Sequence, residues 1–218
     1  MDAPDLSNEP YAIAEQVSPL IRRVLARNAS PFSYTGTQTY IVGTGDVAVI
    51  DPGPLGDDPA HVGELVRILG SERVVAIMCT HTHRDHSPAA TPLAAATGAP
   101  VIGCAPLVLS DDGPRADAGF DPTYNPHRVL ADGAAISGPG WTLRAVATPG
   151  HTSNHLCFAL EEEKALFTGD HVMGWSTTVV SPPDGDMAAY MASLALLMGR
   201  DDAIYYPVHV ASAGLIMN

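Results

Sequence analysis

The stretch Cys79-Thr80-His81-Thr82-His83-Arg84-Asp85-His86-Ser87 decides the fold of this chain. It places three histidines and one aspartate within six residues, directly after the apolar run 74–78. That run is short and rich in β-branched residues, so it predicts a buried strand that ends where the cluster begins. Side chains two apart on extended backbone share a face, and a turn after them aims the next pair at a second point. Because imidazole and carboxylate are ligands of Zn²⁺, the loop predicts ligands for two adjacent metal ions. A solvated polar loop would explain one such residue, but not four at this spacing.

Three further polar clusters also follow predicted strands. Thr148-Pro149-Gly150-His151 follows the strand 141–147, Thr168-Gly169-Asp170-His171 follows 165–167, and Pro207-Val208-His209 follows 203–206. Each cluster alone is compatible with an ordinary loop. With the first stretch they form a set of seven candidate ligands: His81, His83, Asp85, His86, His151, Asp170 and His209.

The rest of the chain alternates predicted strands and helices, which favours layered α/β structure. Strands 36–43 and 47–51 are joined by a hairpin turn at Thr44-Gly45-Asp46. A helix is predicted from a cap at Asp57-Asp58-Pro59 to Gly70, and others over 87–97 and 186–198. The stretch 109–126 is rich in Asp, Gly and Pro, and it predicts a loop that lines a site or forms a lid.

Composition narrows the classes of function. The net charge of −13 disfavours a general polyanion-binding surface, so RNA is a less favoured partner than a small molecule. The three cysteines form no Cys-x-x-Cys pair and favour buried free thiols in a reducing compartment. The N-terminus has no signal-peptide pattern and no apolar run is long enough to span a membrane, so we expect a cytoplasmic protein without membrane association.

The ordered set of motifs resembles the metallo-β-lactamase-fold hydrolases from about Thr37 to His209. The motifs are His-x-His-x-Asp-His, Thr-Pro-Gly-His-Thr, Thr-Gly-Asp and a late histidine after a strand. Within that superfamily the chain is most similar to the lactamase-beta-2-like and glyoxalase-II-like groups, including the stretches that begin at Gly36 and Ile50. The resemblance implies an α/β fold: a four-layer αβ/βα sandwich of two mixed β-sheets with helices outside, as one domain over residues 1–218.

The resemblance also implies a role for each candidate residue, with two zinc ions per chain. It implies that Asp170 bridges the two ions, that Asp51 supports the ligands and that His171 either supports them or faces substrate. His155 is interpreted as structural, and His61 and His127 as surface residues. The implied ligands of the first zinc are His81, His83 and His151, and those of the second are Asp85, His86 and His209.

The implied activity is that of a dinuclear zinc hydrolase, in which a metal-bridging hydroxide attacks an ester-like bond. Asp85 would act in catalysis by helping the leaving group to depart. The bond stays open among thioester, lactone, β-lactam and phosphodiester, and the oligomeric state is not predicted. No Gly-x-Ser-x-Gly elbow and no phosphate-binding loop occur in the sequence, so the parts of rival chemistries are missing.

Two alternatives remain. Persulfide dioxygenases are similar and use a single iron, which makes a mononuclear iron oxidoreductase the first alternative. The second alternative is a metal-binding protein with a crippled second site, because Val208 and Val210 flank His209 where the family usually has glycine. The aromatic residues Phe120, Tyr124 and Trp175 are candidates either to line a pocket or to pin their loops in place.

Overall fold

Two facing β-sheets form the framework of the protein. The computed structural model describes residues 6–55, 60–107 and 119–210, and also the backbone of residues 216 and 217. The first sheet is mixed, with antiparallel pairing through its first four strands and parallel pairing through the rest. Its strands follow chain order: β1 (Ala14–Gln16), β2 (Ile21–Leu25), β3 (Gln38–Thr44), β4 (Asp46–Ile50), β5 (Arg73–Cys79), β6 (Val101–Gly103) and β7 (Arg128–Val129).

The second sheet is also mixed. Its strands lie in the order β13-β12-β11-β10-β9-β8, and only the β11–β12 pair is parallel among the described strands. A short 3₁₀ turn joins β10 to β11. The strands are β8 (Ala135–Gly138), β9 (Trp141–Ala147), β10 (Leu156–Leu160), β11 (Ala165–Gly169), β12 (Ile204–Pro207) and β13 (Ile216–Met217).

Helices α1 (Ala60–Leu69) and α2 (Ala90–Thr97) pack on the side of the first sheet, and α3 (Met187–Met198) packs against the second sheet. Leu197 of α3 packs in a small apolar cluster with residues of β9, β10 and β11. Asp186 caps α3 by accepting a hydrogen bond from Ala189 N at 2.8 Å. Among the described residues, no helix combines the length and apolarity needed to cross a bilayer. The predicted two-sheet sandwich with helices outside is confirmed.

The core between the sheets is built from interlocking aromatic side chains. Tyr40 of β3 lies against Phe167 of β11 and Tyr206 of β12, with ring centroids 5.0 and 5.7 Å apart. Trp141 of β9 reaches across to β4 and donates from Nε1 to the Asp46 carbonyl at 2.9 Å. Burial of such rings is a large apolar contribution to stability, so it fixes how the two sheets dock.

Several sequence predictions shift at their boundaries. The strand predicted over 36–43 covers Gln38–Thr44, and the helix predicted over 87–97 starts at Ala90. Strand β7 was not predicted, because it is two residues long and exposed. The helix cap at Asp57-Asp58-Pro59 and residues 109–118 of the predicted loop lie outside the described residues.

His61 is not a surface residue, as the sequence analysis expected. It lies on the inner face of α1 at 6 % exposure, with Nε2 3.3 Å from Thr39 Oγ1. Its ring fills the space over Gly53, where an added Cβ would lie 3.0 Å from Nε2. The prediction failed because the i, i+4, i+8 pattern of α1 places His61 with Leu65 and Leu69, which are both buried.

Acid is expected to destabilise the protein through His61. Burial lowers its pKa to about 4, whereas the unfolded chain titrates it near 6.5. Its share of stability is therefore complete above pH 6.5 and is lost as the pH falls towards 4. Between pH 7 and pH 4.5 the free energy of unfolding, measured in urea, should fall in both proteins. We expect this fall to be about 2 kcal/mol smaller in the His61→Gln variant than in the wild type. An identical pH dependence in the two proteins would contradict this role.

Candidate metal centre

The candidate ligands lie in loops that follow strands of both sheets. The loop after β5 carries His81, His83, Asp85 and His86 from the first sheet. His151, Asp170 and His209 follow β9, β11 and β12 of the second sheet. The structure brings all seven predicted residues together as two groups whose potential ligand atoms lie within 4.8 Å of one another. Each group takes members from both sheets: His81, His83, His151 and Asp170 form the first, and Asp85, His86 and His209 the second.

Three imidazole nitrogens converge in the first group. His83 Nδ1 lies 2.9 Å from His81 Nε2 and 3.0 Å from His151 Nε2. The edges of a tetrahedral zinc site with Zn–N bonds of about 2.1 Å measure roughly 3.4 Å, so small outward shifts suffice to admit an ion. Asp170 Oδ2 adds a carboxylate oxygen 3.6 Å from His151 Nε2.

The second group places two imidazoles against two carboxylates. Asp85 Oδ2 lies 3.1 Å from His209 Nε2 and 3.7 Å from His86 Nε2. Asp170 Oδ1 lies 3.4 Å from both of these nitrogens, while its other oxygen faces the first group. Asp170 therefore sits between the two groups. The valines beside His209 are buried in the core and do not carry the histidine out of the site.

Hydrogen bonds on the outer side of the rings set the tautomers. His151 Nδ1 donates to the Val179 carbonyl at 2.6 Å, and His209 Nδ1 to the Gly36 carbonyl at 3.2 Å. His86 Nδ1 lies 3.1 Å from Asp51 Oδ2. With a proton on each outer nitrogen, Nε2 faces the centre and offers a lone pair there once it is deprotonated, as metal-binding histidines do.

Asp51 organises the loop that carries the first four candidates. It is fully buried at φ +47°, just after β4. Its Oδ1 accepts from Thr80 N at 2.8 Å and its Oδ2 from Thr80 Oγ1 at 2.7 Å, in addition to the His86 contact. Because Thr80 Oγ1 donates its proton to Asp51, it can only accept the hydrogen bond from His81 Nδ1, at 3.0 Å. One buried carboxylate thereby orients both His81 and His86.

Burial and neighbouring charges tune the ionisation of the site. Burial lowers the pKa of His151 to about 4, and burial together with His86 holds the pKa of His81 well below its usual range. Burial alone would raise the pKa of Asp85, but His86 and His209 outweigh it and lower the pKa to about 2. At neutral pH His81 and His151 are therefore neutral beside an ionised carboxylate. Against the opposing effect of burial, the carboxylates of Asp170 and Asp85 raise the pKa values of His86 and His209.

The donor set fits divalent metal ions. Four buried atoms of the centre make no hydrogen bond to any described residue: Asp85 Oδ1, His86 Nε2, Asp170 Oδ1 and His209 Nε2. Buried polar atoms without partners are costly, and a cation among them would remove that cost. Histidine nitrogens and carboxylate oxygens suit Zn²⁺ or iron, so the residues fit two adjacent ions without fixing their identity.

Two further histidines lie behind the centre. His155 Nδ1 lies 2.8 Å from Thr148 Oγ1, and its Nε2 accepts from Asp170 N at 3.3 Å. It therefore holds the backbone of Asp170, in keeping with its structural interpretation. His171 is buried against the Tyr190 ring and is not among the described residues that line the cavity. A direct contact of His171 with substrate has no support in this geometry.

A cavity of about 220 Å³ opens onto the centre. Trp175 lines it, in one of the two roles expected for the aromatic residues, whereas Tyr124 is buried in the core and Phe120 packs on His83. The sequence did not predict most of the wall that faces the metal centre, because its residues lie in loops without apolar periodicity. The available signal was the apolar pair Pro31-Phe32, which follows Ser30 in a turn-rich stretch. The cavity is lined by Pro31, Phe32, His83, Asp85, His151, Asp170, Met173, Trp175, Ser176, Thr177 and Val179.

Comparison with known proteins agrees with this architecture. The family model described as the metallo-beta-lactamase superfamily matches residues 34–209. The chain belongs to the metallo-β-lactamase superfamily. A solved metallo-beta-lactamase from Pontibacter korlensis superposes with a TM-score of 0.73 at 17 % identity, covering 91 % of each chain. A second structure, TTHA1623 in a di-iron-bound form, has a TM-score of 0.66 at 25 % identity and covers 89 % of this chain and 93 % of that one.

Among curated relatives in the superfamily is the atrochrysone carboxyl ACP thioesterase AgnL7 of Paecilomyces divaricatus. It is 37 % identical over 205 residues, which cover 93 % of this chain and 59 % of the relative. The chain thus spans about three fifths of the length of the curated relatives that it matches.

Proposed function

We propose that this protein is a dinuclear zinc hydrolase that cleaves thioesters, with residues 1–218 acting as one domain. The observation that carries the proposal is the pair of His/Asp groups facing one apolar-walled cavity. The relative named as a thioesterase supports the choice of bond. We further propose that the acyl group is presented by a carrier protein, as the name of that relative suggests.

The cavity wall supports an acyl substrate over a phosphodiester. No lysine or arginine occurs among the described residues that line it. Arg84, which lies between candidate ligands in sequence, turns its Nε to the Phe120 carbonyl at 3.1 Å. Phosphate recognition normally uses such cations, and the net charge of −13 adds to the disadvantage for RNA.

In the proposed reaction, water adds to the acyl carbon and the C–S bond breaks, so the products are a carboxylic acid and a thiol. Zinc at the two groups would make a water molecule acidic enough to attack at neutral pH and would polarise the acyl oxygen. The neutral rings of His81 and His151 direct their lone pairs inward. Asp85, ionised and beside the cavity, is placed to steer a proton towards the departing sulfur.

Metal content and a substrate panel test the proposal together. We expect elemental analysis of purified protein to give two zinc ions per chain. We also expect hydrolysis of acyl thioesters of N-acetylcysteamine to exceed that of bis(p-nitrophenyl) phosphate by at least about a hundredfold in kcat/KM, since the wall carries no phosphate-binding cation. One iron per chain with oxygen consumption would instead support the oxidoreductase. Bound metal without turnover of any ester, thioester, lactone or phosphodiester would overturn the enzyme proposal.

A further inference from the structure

The wall opposite the metal centre is aromatic and held in place. Trp175 lines the cavity and stacks on Tyr34, with ring centroids 4.8 Å apart and planes inclined by 18°. Tyr34 lies at φ +56°, and its N–H donates to the Ser30 carbonyl at 2.9 Å. The stack limits movement of the indole, so its surface is available to a ligand without prior ordering.

Phe32 extends this wall from the same loop and is unusually exposed. Its side chain is 45 % accessible although it lines the cavity. The turn that presents it is fixed, because Ser30 Oγ accepts from Phe32 N at 3.1 Å and from Ser33 N at 3.0 Å. Ser33 Oγ in turn donates to the Asn28 carbonyl. An exposed phenyl on a rigid turn gains free energy when an apolar group covers it.

The wall away from the metal centre offers no charged partner to an acyl group. No lysine or arginine occurs among the described residues that line the cavity, and Asp85, Asp170, His83 and His151 belong to the metal centre. The other lining side chains are aromatic, aliphatic or hydroxylic, among them Met173 and Val179. At about 220 Å³ the cavity falls below the usual range for a drug-sized ligand, so it suits the acyl end of a thioester.

We propose that this wall selects planar aromatic acyl groups, with Trp175 and Phe32 as the residues that determine specificity. The inference rests on the proposed thioesterase activity and adds the substrate class. An aromatic ring seated beside Trp175 gains stacking as well as burial, whereas a saturated ring of similar size gains burial only.

The test compares benzoyl, cyclohexanecarbonyl and acetyl thioesters of N-acetylcysteamine on the zinc-loaded enzyme. We expect Trp175→Leu to lower kcat/KM for the benzoyl thioester at least about tenfold, mainly through KM, and to leave the acetyl thioester within about twofold. Phe32→Leu keeps an apolar side chain at an exposed position and should shift the same ratio less. Ile13→Ala, at an exposed position outside the cavity lining, is the control and should change no ratio. Equal losses for benzoyl and cyclohexanecarbonyl would overturn the selection of planar groups.

A binding measurement separates this inference from the proposed reaction. The ketone S-phenacyl-N-acetylcysteamine and its cyclohexyl counterpart cannot be hydrolysed, and calorimetry gives their Kd values for the zinc-loaded protein. We expect the phenacyl compound to bind at least about fivefold more tightly, and Trp175→Leu to erase the difference. That result supports the aromatic wall even if no thioester is cleaved, in which case only the proposed function fails. Equal binding by the wild-type protein would overturn the inference.

Discussion

The Asp85→Ala variant is expected to lose hydrolysis by at least about a thousandfold and to bind one zinc ion fewer per chain. Asp85 provides the carboxylate nearest His209 Nε2, at 3.1 Å, and it also faces His86. Its removal leaves the second group with two imidazoles and only a shared oxygen of Asp170. The measurements are kcat/KM on a thioester and metal content by elemental analysis.

Asp201→Asn is the matched control for Asp85→Ala. The Asp201 side chain is 86 % accessible and pairs only with exposed Lys164 among its described contacts. Such surface pairs contribute little, so activity and metal content should both stay at wild-type values. His81→Ala should likewise abolish activity by disrupting the first group. Full activity in either His81→Ala or Asp85→Ala would contradict the assignment of the centre.

The Gly36→Ala variant should be unstable and should also bind the second ion weakly. Gly36 lies at φ +142°, and an added Cβ would sit 2.2 Å from the Ala26 carbonyl oxygen. Backbone cannot yield as a flexible side chain can, so we expect a loss of at least about 2 kcal/mol in the free energy of unfolding. The Gly36 carbonyl also accepts a hydrogen bond from His209 Nδ1. A displacement of that carbonyl therefore turns the His209 ring, which is a candidate ligand of the second ion.

Gly133→Ala separates the steric clash at Gly36 from backbone strain. Gly133 also has a positive φ, +75°, but no atom lies within 4 Å of its virtual Cβ. Only strain remains there, about 1 kcal/mol. Urea unfolding and zinc titration of both variants check the expectation. Equal losses of stability, or unchanged zinc affinity in a folded Gly36→Ala protein, would contradict it.

The sequence could predict the metal centre because each candidate follows an apolar strand. Strand ends of both sheets meet at one edge, so His151, Asp170 and His209 arrive beside the cluster after β5. The role of each residue as a ligand stays a prediction until metal is measured. The alternative of a crippled second site rests on Val208 and Val210, which flank His209 in the sequence. In the structure their side chains pack in the core while His209 reaches the second group.

The cavity wall was largely beyond sequence reasoning. Phe32 and Tyr34 lie in a stretch without apolar periodicity. Their placement depends on backbone N–H groups that donate to Ser30 Oγ and to the Ser30 carbonyl, and on a stack with a residue 141 positions later. The expectation for His61 was wrong for a different reason. Its position in the helical pattern indicates a buried residue, although its side chain is polar. Long-range partners of loop residues leave no trace in local pattern, whereas strand and helix faces do.

The two candidate ligand groups each contain residues from both sheets, so a bound metal would act as a cross-link between the sheets. An ion held there would add a link between sheets that already meet through packing, such as that of Tyr40 with Phe167, and through hydrogen bonds, such as that of Trp141 with the Asp46 carbonyl. At a free ion concentration a hundred times the Kd, such a cross-link adds about 2.7 kcal/mol to the free energy of unfolding. The proposed catalysis and the docking of the two sheets would then depend on the same side chains, so we expect the protein to be less stable when metal is withheld.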